Sequence, residues 1–211
     1  MKKKFDYESD TFLGLKKVGD YILLNILWIL FSTPIITIGA STSALYYSVN
    51  KVIRHGNGRA LIVFWEAFKT SFKQSTAAWL ILCGIYAITL YGYSRVSVLA
   101  RQSTLMLMAA EICLSVFVVL LIWGLYLFPY ISRFICSFKD VLKNSFLISI
   151  HNLHWSVFIL LILVAACLLI YLFPILIFVA PICLMRIMTQ VLERVFRKYM
   201  SKEELEAEDG Q

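Results

Sequence analysis

Residues 155–185 carry no charged side chain, residues 75–94 carry none, and residues 105–131 carry only Glu111. A helix needs about 20 apolar residues to cross the roughly 30 Å hydrocarbon layer of a bilayer. A soluble domain would show its apolar residues as stripes of period 3.6 or 2, and these runs show neither. The chain is 60% hydrophobic and only 16% charged, with a mean hydropathy of +0.78, against about 45–50% and about 25% for ordinary soluble domains. Lipid, not self-burial, is the expected solvent for these runs, and the expected fold is all-α, a polytopic transmembrane helix bundle.

A formal net charge of +7 raises the question of nucleic acid. Lys and Arg sit in short clusters at the ends of the apolar runs and in the tails, which suits anionic headgroups and the positive-inside rule. No basic face or recognition motif accompanies them, so no nucleic-acid partner is expected. Cys83, Cys113, Cys136, Cys167 and Cys183 are scattered through apolar stretches without CxxC spacing and read as buried thiols rather than disulfides or metal ligands. G-x-S-x-G, HExxH, P-loop and GxGxxG patterns do not occur, so no catalytic residue, cofactor or metal is expected.

Taken as one membrane domain, the chain divides into an interfacial lead-in (1–18), a first half (19–93), a second half (94–190) and a cytoplasmic tail (191–211). The lead-in mixes Lys2, Lys3, Lys4, Lys16 and Lys17 with Asp6, Glu8 and Asp10. Its acidic residues, and the length of the following apolar run, argue against a cleaved signal peptide. A first span over about 19–38 meets Pro34, which removes an amide donor and turns Thr33 away from helical geometry, so a break is expected over 33–40. Helix resumes over 41–54, and His55-Gly56-Asn57-Gly58-Arg59 reads as a turn.

Phe64, Phe68 and Phe72 recur every four residues while Glu66, Lys69 and Lys73 occupy other positions, the pattern of a helix lying on the membrane surface. Spans are then expected over about 76–93 and 105–131, the latter bending at Pro129. Phe138, Leu142, Phe146 and Ile150 mark a second surface helix, followed by spans over about 155–173 and 175–185, bracketed by Pro174 and Pro181. Residues 201–211 form an acidic, frayed end.

The halves resemble each other. Trp28 precedes Pro34 by the interval separating Trp123 from Pro129, Lys69-Thr70-Ser71-Phe72 parallels Lys143-Asn144-Ser145-Phe146, and Trp79 or Trp155 opens the next span. An internal duplication gives five spans with the N-terminus outside. The basic lead-in instead favours an inside N-terminus, and a hairpin over 19–54 then gives six. Six suits the charges better; both arrangements put loops 54–75 and 133–154 and the C-terminal tail in the cytoplasm.

Two places have the residue types for function. Glu111 is the one acidic side chain well inside an apolar span, where a charge costs several kcal/mol unless paired or wetted; the competing reading puts it near the interface with Arg95 or Arg101. Around the break, Pro34, Gly39, Ser41 and Ser43 either line a polar cavity, as discontinuous helices do in transporters, or pack helices closely through small side chains. His151 and His154 are spaced to share a helix face, but no third metal ligand is evident and an interfacial role is expected.

Leu24-Asn25-Ile26-Leu27-Trp28, Pro34-Ile35-Ile36-Thr37-Ile38-Gly39-Ala40, Ala44-Leu45-Tyr46-Tyr47 and the aromatic run over 64–72 together resemble the YesL-like family of bacterial membrane proteins, with similarity over most of the chain. That resemblance implies an integral plasma-membrane protein of uncharacterised function, frequently encoded beside carbohydrate-uptake transporter genes; it supplies no catalytic or binding residues. The expected role is a non-enzymatic accessory component of a transport or sensing complex, the sugar link resting wholly on the resemblance. A small transporter or channel acting alone is the alternative. No pattern in the chain fixes an oligomeric state.

Overall fold

The computed structural model describes residues 2–99 and 103–200, with side chains over 14–98 and 103–200. The described residues form seven α-helices joined by short turns: α1 (Lys2–Ser32), α2 (Ile38–Ser48), α3 (Ala60–Leu99), α4 (Thr104–Arg133), α5 (Phe138–His151), α6 (Leu153–Leu172) and α7 (Ala180–Phe196). Of these, α3, α4 and α6 are long and apolar enough to cross a membrane. The all-α membrane architecture read from the sequence therefore holds, with three helices among the described residues that are both long and apolar enough to span.

The expected break is present. Pro34 is extended (φ −74°, ψ 109°), a 3₁₀ turn covers Ile35–Thr37, and α2 starts at Ile38. Ser32 and Ser41 share a hydrogen bond of 2.7 Å and the Trp28 indole donates to Thr42 at 3.3 Å, so α1 and α2 fold back on each other as an antiparallel hairpin. A π-helical turn over Val49–Arg54 carries α2 to the loop before α3.

Three expectations need correction. The first surface helix and the following span are one helix of 40 residues, because Gln74-Ser75-Thr76 contains nothing that breaks a helix. Its phenylalanine stripe faces protein: Phe64 is 1% and Phe68 8% exposed, and Phe31 of α1 packs among Phe64, Trp65 and Phe68 with ring centroids 4.9–5.8 Å apart. Phe72, 38% exposed, stays on the surface with Trp65, Lys69 and Lys73. The expected span over about 105–131 is present as α4, which includes Pro129 and runs on to Arg133. The fifth apolar stretch is not one helix: Pro174–Phe178 is a 3₁₀ turn, and α7 begins at Ala180 with Pro181 in its first turn, where a missing amide costs nothing.

The second surface helix does form, as α5, but its buried face is Val141, Ser145, Ile148 and Ser149. Phe138 and Leu142 are half-buried at its edge and Phe146 is exposed. The register differs because Ser145 and Ser149, polar by type, bond neighbouring carbonyls and the Trp123 indole and so are buried satisfied.

Burial is concentrated at one end of the molecule. Buried side chains in α3 stop at Leu82, those in α6 at Ile159, and those in α4, Ala110 apart, begin at Leu120. Beyond those levels the helices present Ile88, Leu90, Val98, Leu107, Ile112, Val116, Leu161, Val164 and Leu168 outward. Exposed apolar side chains in such number are unfavourable in water, and a bilayer accommodates them.

Candidate functional site

Carbonyls freed at the break are satisfied within the protein, as a helix interruption in a low-dielectric setting requires. Thr37 donates to the carbonyls of Phe31 at 2.6 Å and Pro34 at 2.7 Å, and the Trp79 indole donates to that of Ile35 at 2.8 Å. Ser41 donates to backbone carbonyls of its own helix. Ser43 donates to the Phe128 carbonyl at 3.1 Å, leaving Ser75 to donate to Ser43 at 2.8 Å. Gly39 sits at the tightest point: a Cβ there would lie 2.6 Å from the Ser75 carbonyl oxygen, 2.7 Å from the Phe128 ring and 2.8 Å from the Trp79 Cβ. Of the two sequence readings for Gly39, Ser41 and Ser43, this geometry is that of close helix packing.

A second polar site lies between the hairpin, the end of α4 and α7. Glu193 of α7 is fully buried. Its Oε1 accepts hydrogen bonds from the Tyr46 hydroxyl at 2.8 Å and from Asn50 Nδ2 at 3.2 Å. Its Oε2 lies 3.8 Å from an Arg54 nitrogen and 3.5 Å from an Arg133 nitrogen, and Arg54 also donates to Asn50 Oδ1 at 3.3 Å. One carboxylate thus ties α2, the π turn and α4 to α7.

The π turn is what makes the arrangement possible. Tyr46, Asn50 and Arg54 are spaced by four residues, and each such step on an α-helix over-rotates by about 40°. A π turn takes more residues per revolution, so the step from Asn50 to Arg54 rotates back, and two hydrogen-bond donors and one guanidinium converge on one carboxylate. Phe196, three residues after Glu193 on α7, packs its ring edge-on to Tyr126, Tyr130 and Phe134.

Sequence reading assigned Glu193 to the tail and missed it. A signal was present: Ile182, Met185, Thr189, Leu192 and Phe196 form the buried stripe of α7, and Glu193 falls within it. A carboxylate inside the apolar stripe of an amphipathic helix needs a buried cationic or hydrogen-bonding partner.

The other candidates are dispersed. Tyr86 packs edge-on to Phe117 and donates to the Leu120 carbonyl, and Trp79 packs on Phe128, so α3 and α4 run antiparallel. Nine residues beyond Tyr86 is Arg95, and nine before Leu120 is Glu111; both lie about 13 Å farther along their helices. Glu111 is therefore exposed, level with Arg95, whose guanidinium covers the Tyr91 ring, and it makes no ion pair among the described residues. Arg101 lies outside the described residues, as does the acidic segment 201–211. His151 and His154 are both exposed. The cysteines are free, and Cys167 and Cys183 are exposed on α6 and α7 rather than buried, because both helices present those positions away from the core.

Most of the hairpin and of α3 lies in a stretch that comparison with known families recognises. Residues 21–93 match DUF624, a family described as proteins of unknown function. YesL-like proteins belong to DUF624, so the resemblance carried by Leu24–Trp28 and Pro34–Ala40 fits it. No curated protein and no solved structure matches the chain. The DUF624 stretch contains Tyr46, Asn50 and Arg54, whereas Arg133 and Glu193 come from outside it.

Proposed function

We propose that this membrane protein is a non-enzymatic accessory component of a transport or sensing complex in the bacterial plasma membrane, with its C-terminal tail in the cytoplasm. The observation that carries the reading is the closed packing at the helix break. Gly39, Ser43, Ser75 and Phe128 fill the position where a discontinuous helix of a transporter would line a cavity, with hydroxyls satisfied by protein groups. A break packed in this way suits a scaffold that presents surfaces to a neighbour. The link to carbohydrate uptake is carried by the family resemblance alone.

Five or six membrane segments remain the proposed threading, with the α1–α2 hairpin and α7 joining the three long spans. An internal duplication is supported by one shared detail: Trp28 donates to Thr42 of the following helix, and Trp123 donates to Ser145 of the following helix. Both indoles stand the same distance before a proline.

Purification in mild detergent from cells expressing a tagged chain tests the accessory role. Recovery of transporter or sensor subunits is expected; repeated recovery of the chain alone counts against it. The alternative, a small transporter or channel, draws on the presence of the break itself. Solute uptake by liposomes containing only this protein would replace the accessory reading with that one.

A further inference from the structure

α5 connects the packed end of α4 to the start of α6, and its outward face changes character along its length. Lys139, Lys143, Phe146, Leu147 and Ile150 are all exposed and fall within about 100° of arc. The buried face, Val141, Ser145, Ile148 and Ser149, lies opposite. Charge comes first, at Lys139 and Lys143, with Asp140 at the edge of the face; apolar side chains follow at Phe146, Leu147 and Ile150 and continue to Leu153. The basic half and the apolar half thus follow one another along the helix, their centres about two turns apart, rather than lying on opposite sides of it.

Depth is set by two tryptophans. Trp123 of α4 donates to Ser145 at 3.0 Å and packs edge-on to Phe146, and Trp155 stands in the first turn of α6. Indoles at the ends of the lipid-crossing part of a helix mark the water–lipid boundary, and Trp123 closes a stretch of α4 that starts at Thr104 and is about as long as a span requires. The middle of α5 is therefore held at that boundary, its apolar end next to the bilayer-spanning α6 and its lysines on the side of α4's basic terminus at Arg133.

We propose that α5 is an in-plane anchor for the anionic phospholipids of the cytoplasmic leaflet, with Lys139 and Lys143 holding headgroup phosphates and Phe146, Leu147 and Ile150 inserted among the acyl chains below them. The charge complementarity is specific to a negatively charged surface, because lysines near a membrane are attracted by anionic lipid and gain little from zwitterionic lipid. A helix with this composition lies at the interface rather than across it.

The test uses the full-length protein reconstituted in phosphatidylcholine with spin-labelled phosphatidylglycerol or spin-labelled phosphatidylcholine as the probe. Wild-type protein is expected to immobilise phosphatidylglycerol in preference to phosphatidylcholine. Lys139→Gln and Lys143→Gln are each expected to lower that preference by about fivefold at low salt, and the same preference in the double variant overturns the proposal. An independent arm places an environment-sensitive fluorophore at Leu147→Cys or Asp140→Cys in a background without native cysteines. Emission at 147 is expected to be blue-shifted and quenched by brominated lipid, while that at 140 stays aqueous; an aqueous signal at 147 equally overturns the proposal.

Discussion

Removing the charge of Glu193 without changing its shape tests whether α7 is held by an ionic tie or by apolar packing alone. In Glu193→Gln the amide keeps an oxygen for Tyr46 and Asn50, but the ionic contacts of Arg54 and Arg133 with the carboxylate are lost. Breaking a fully buried ion pair costs about 3–5 kcal/mol. The Arg54 and Arg133 side chains retain 28% and 18% exposure, so solvent screens part of that loss and about 2–3 kcal/mol is expected. For a chain of this size that corresponds to roughly 4–12 °C in apparent melting temperature. Glu193→Ala should cost more, since the Tyr46 hydroxyl and the Asn50 amide also lose their acceptor, at about 1–3 kcal/mol for each buried group left unpaired. Converting Glu193, Arg54 and Arg133 together to Met should recover only the ionic part of the loss seen in Glu193→Ala, because no guanidinium then remains beside the missing carboxylate, while the Tyr46 hydroxyl and the Asn50 amide stay without their acceptor. Detergent-solubilised protein followed by size-exclusion after heating gives the readout. A Glu193→Gln protein that melts with wild type, or a triple variant less stable than Glu193→Ala, would refute the reasoning.

Gly39→Ala should destabilise by about 1–3 kcal/mol despite the better helix propensity of Ala, because two of the atoms it meets are the Ser75 backbone oxygen and the Trp79 Cβ, which cannot swing away; an unchanged melting temperature would contradict the close packing. Phe68→Ala should cost about 3–5 kcal/mol and Phe72→Ala less than about 1, since Phe68 is buried against Phe31 and Phe72 is at the surface; equal losses would restore the surface-helix reading. Glu111→Gln should leave stability within about 0.5 kcal/mol, as an exposed carboxylate without an ion pair among the described residues contributes little. A large loss in that variant would mean that Glu111 has a partner in the membrane.

The sequence by itself determined that this chain is a helical membrane protein, because charge-free runs of 20 residues and more have few other solvents than lipid. It also located the interruption at Pro34, since a missing amide and a restricted preceding residue act locally, whatever the rest of the fold does. The start of α6 near Trp155 and the existence of α5 were legible for the same local reasons. What it misplaced was facing. In a soluble protein polarity distinguishes inside from outside, but in a membrane protein apolar side chains fill both, so Phe64 and Phe68 read as lipid-facing although they pack on Phe31.

Only the tertiary structure decided the role of Glu193. Its partners lie about 140 residues away at Tyr46, Asn50 and Arg54 and 60 residues away at Arg133, and no periodicity within α7 reports what stands opposite a helix face. The same holds for Gly39, whose need for a missing Cβ comes from α3 and α4 and not from its own neighbours. Local chemistry set where helices start, stop and break; which side chains face one another was set by how the helices pack, and that depends on contacts distant in the chain.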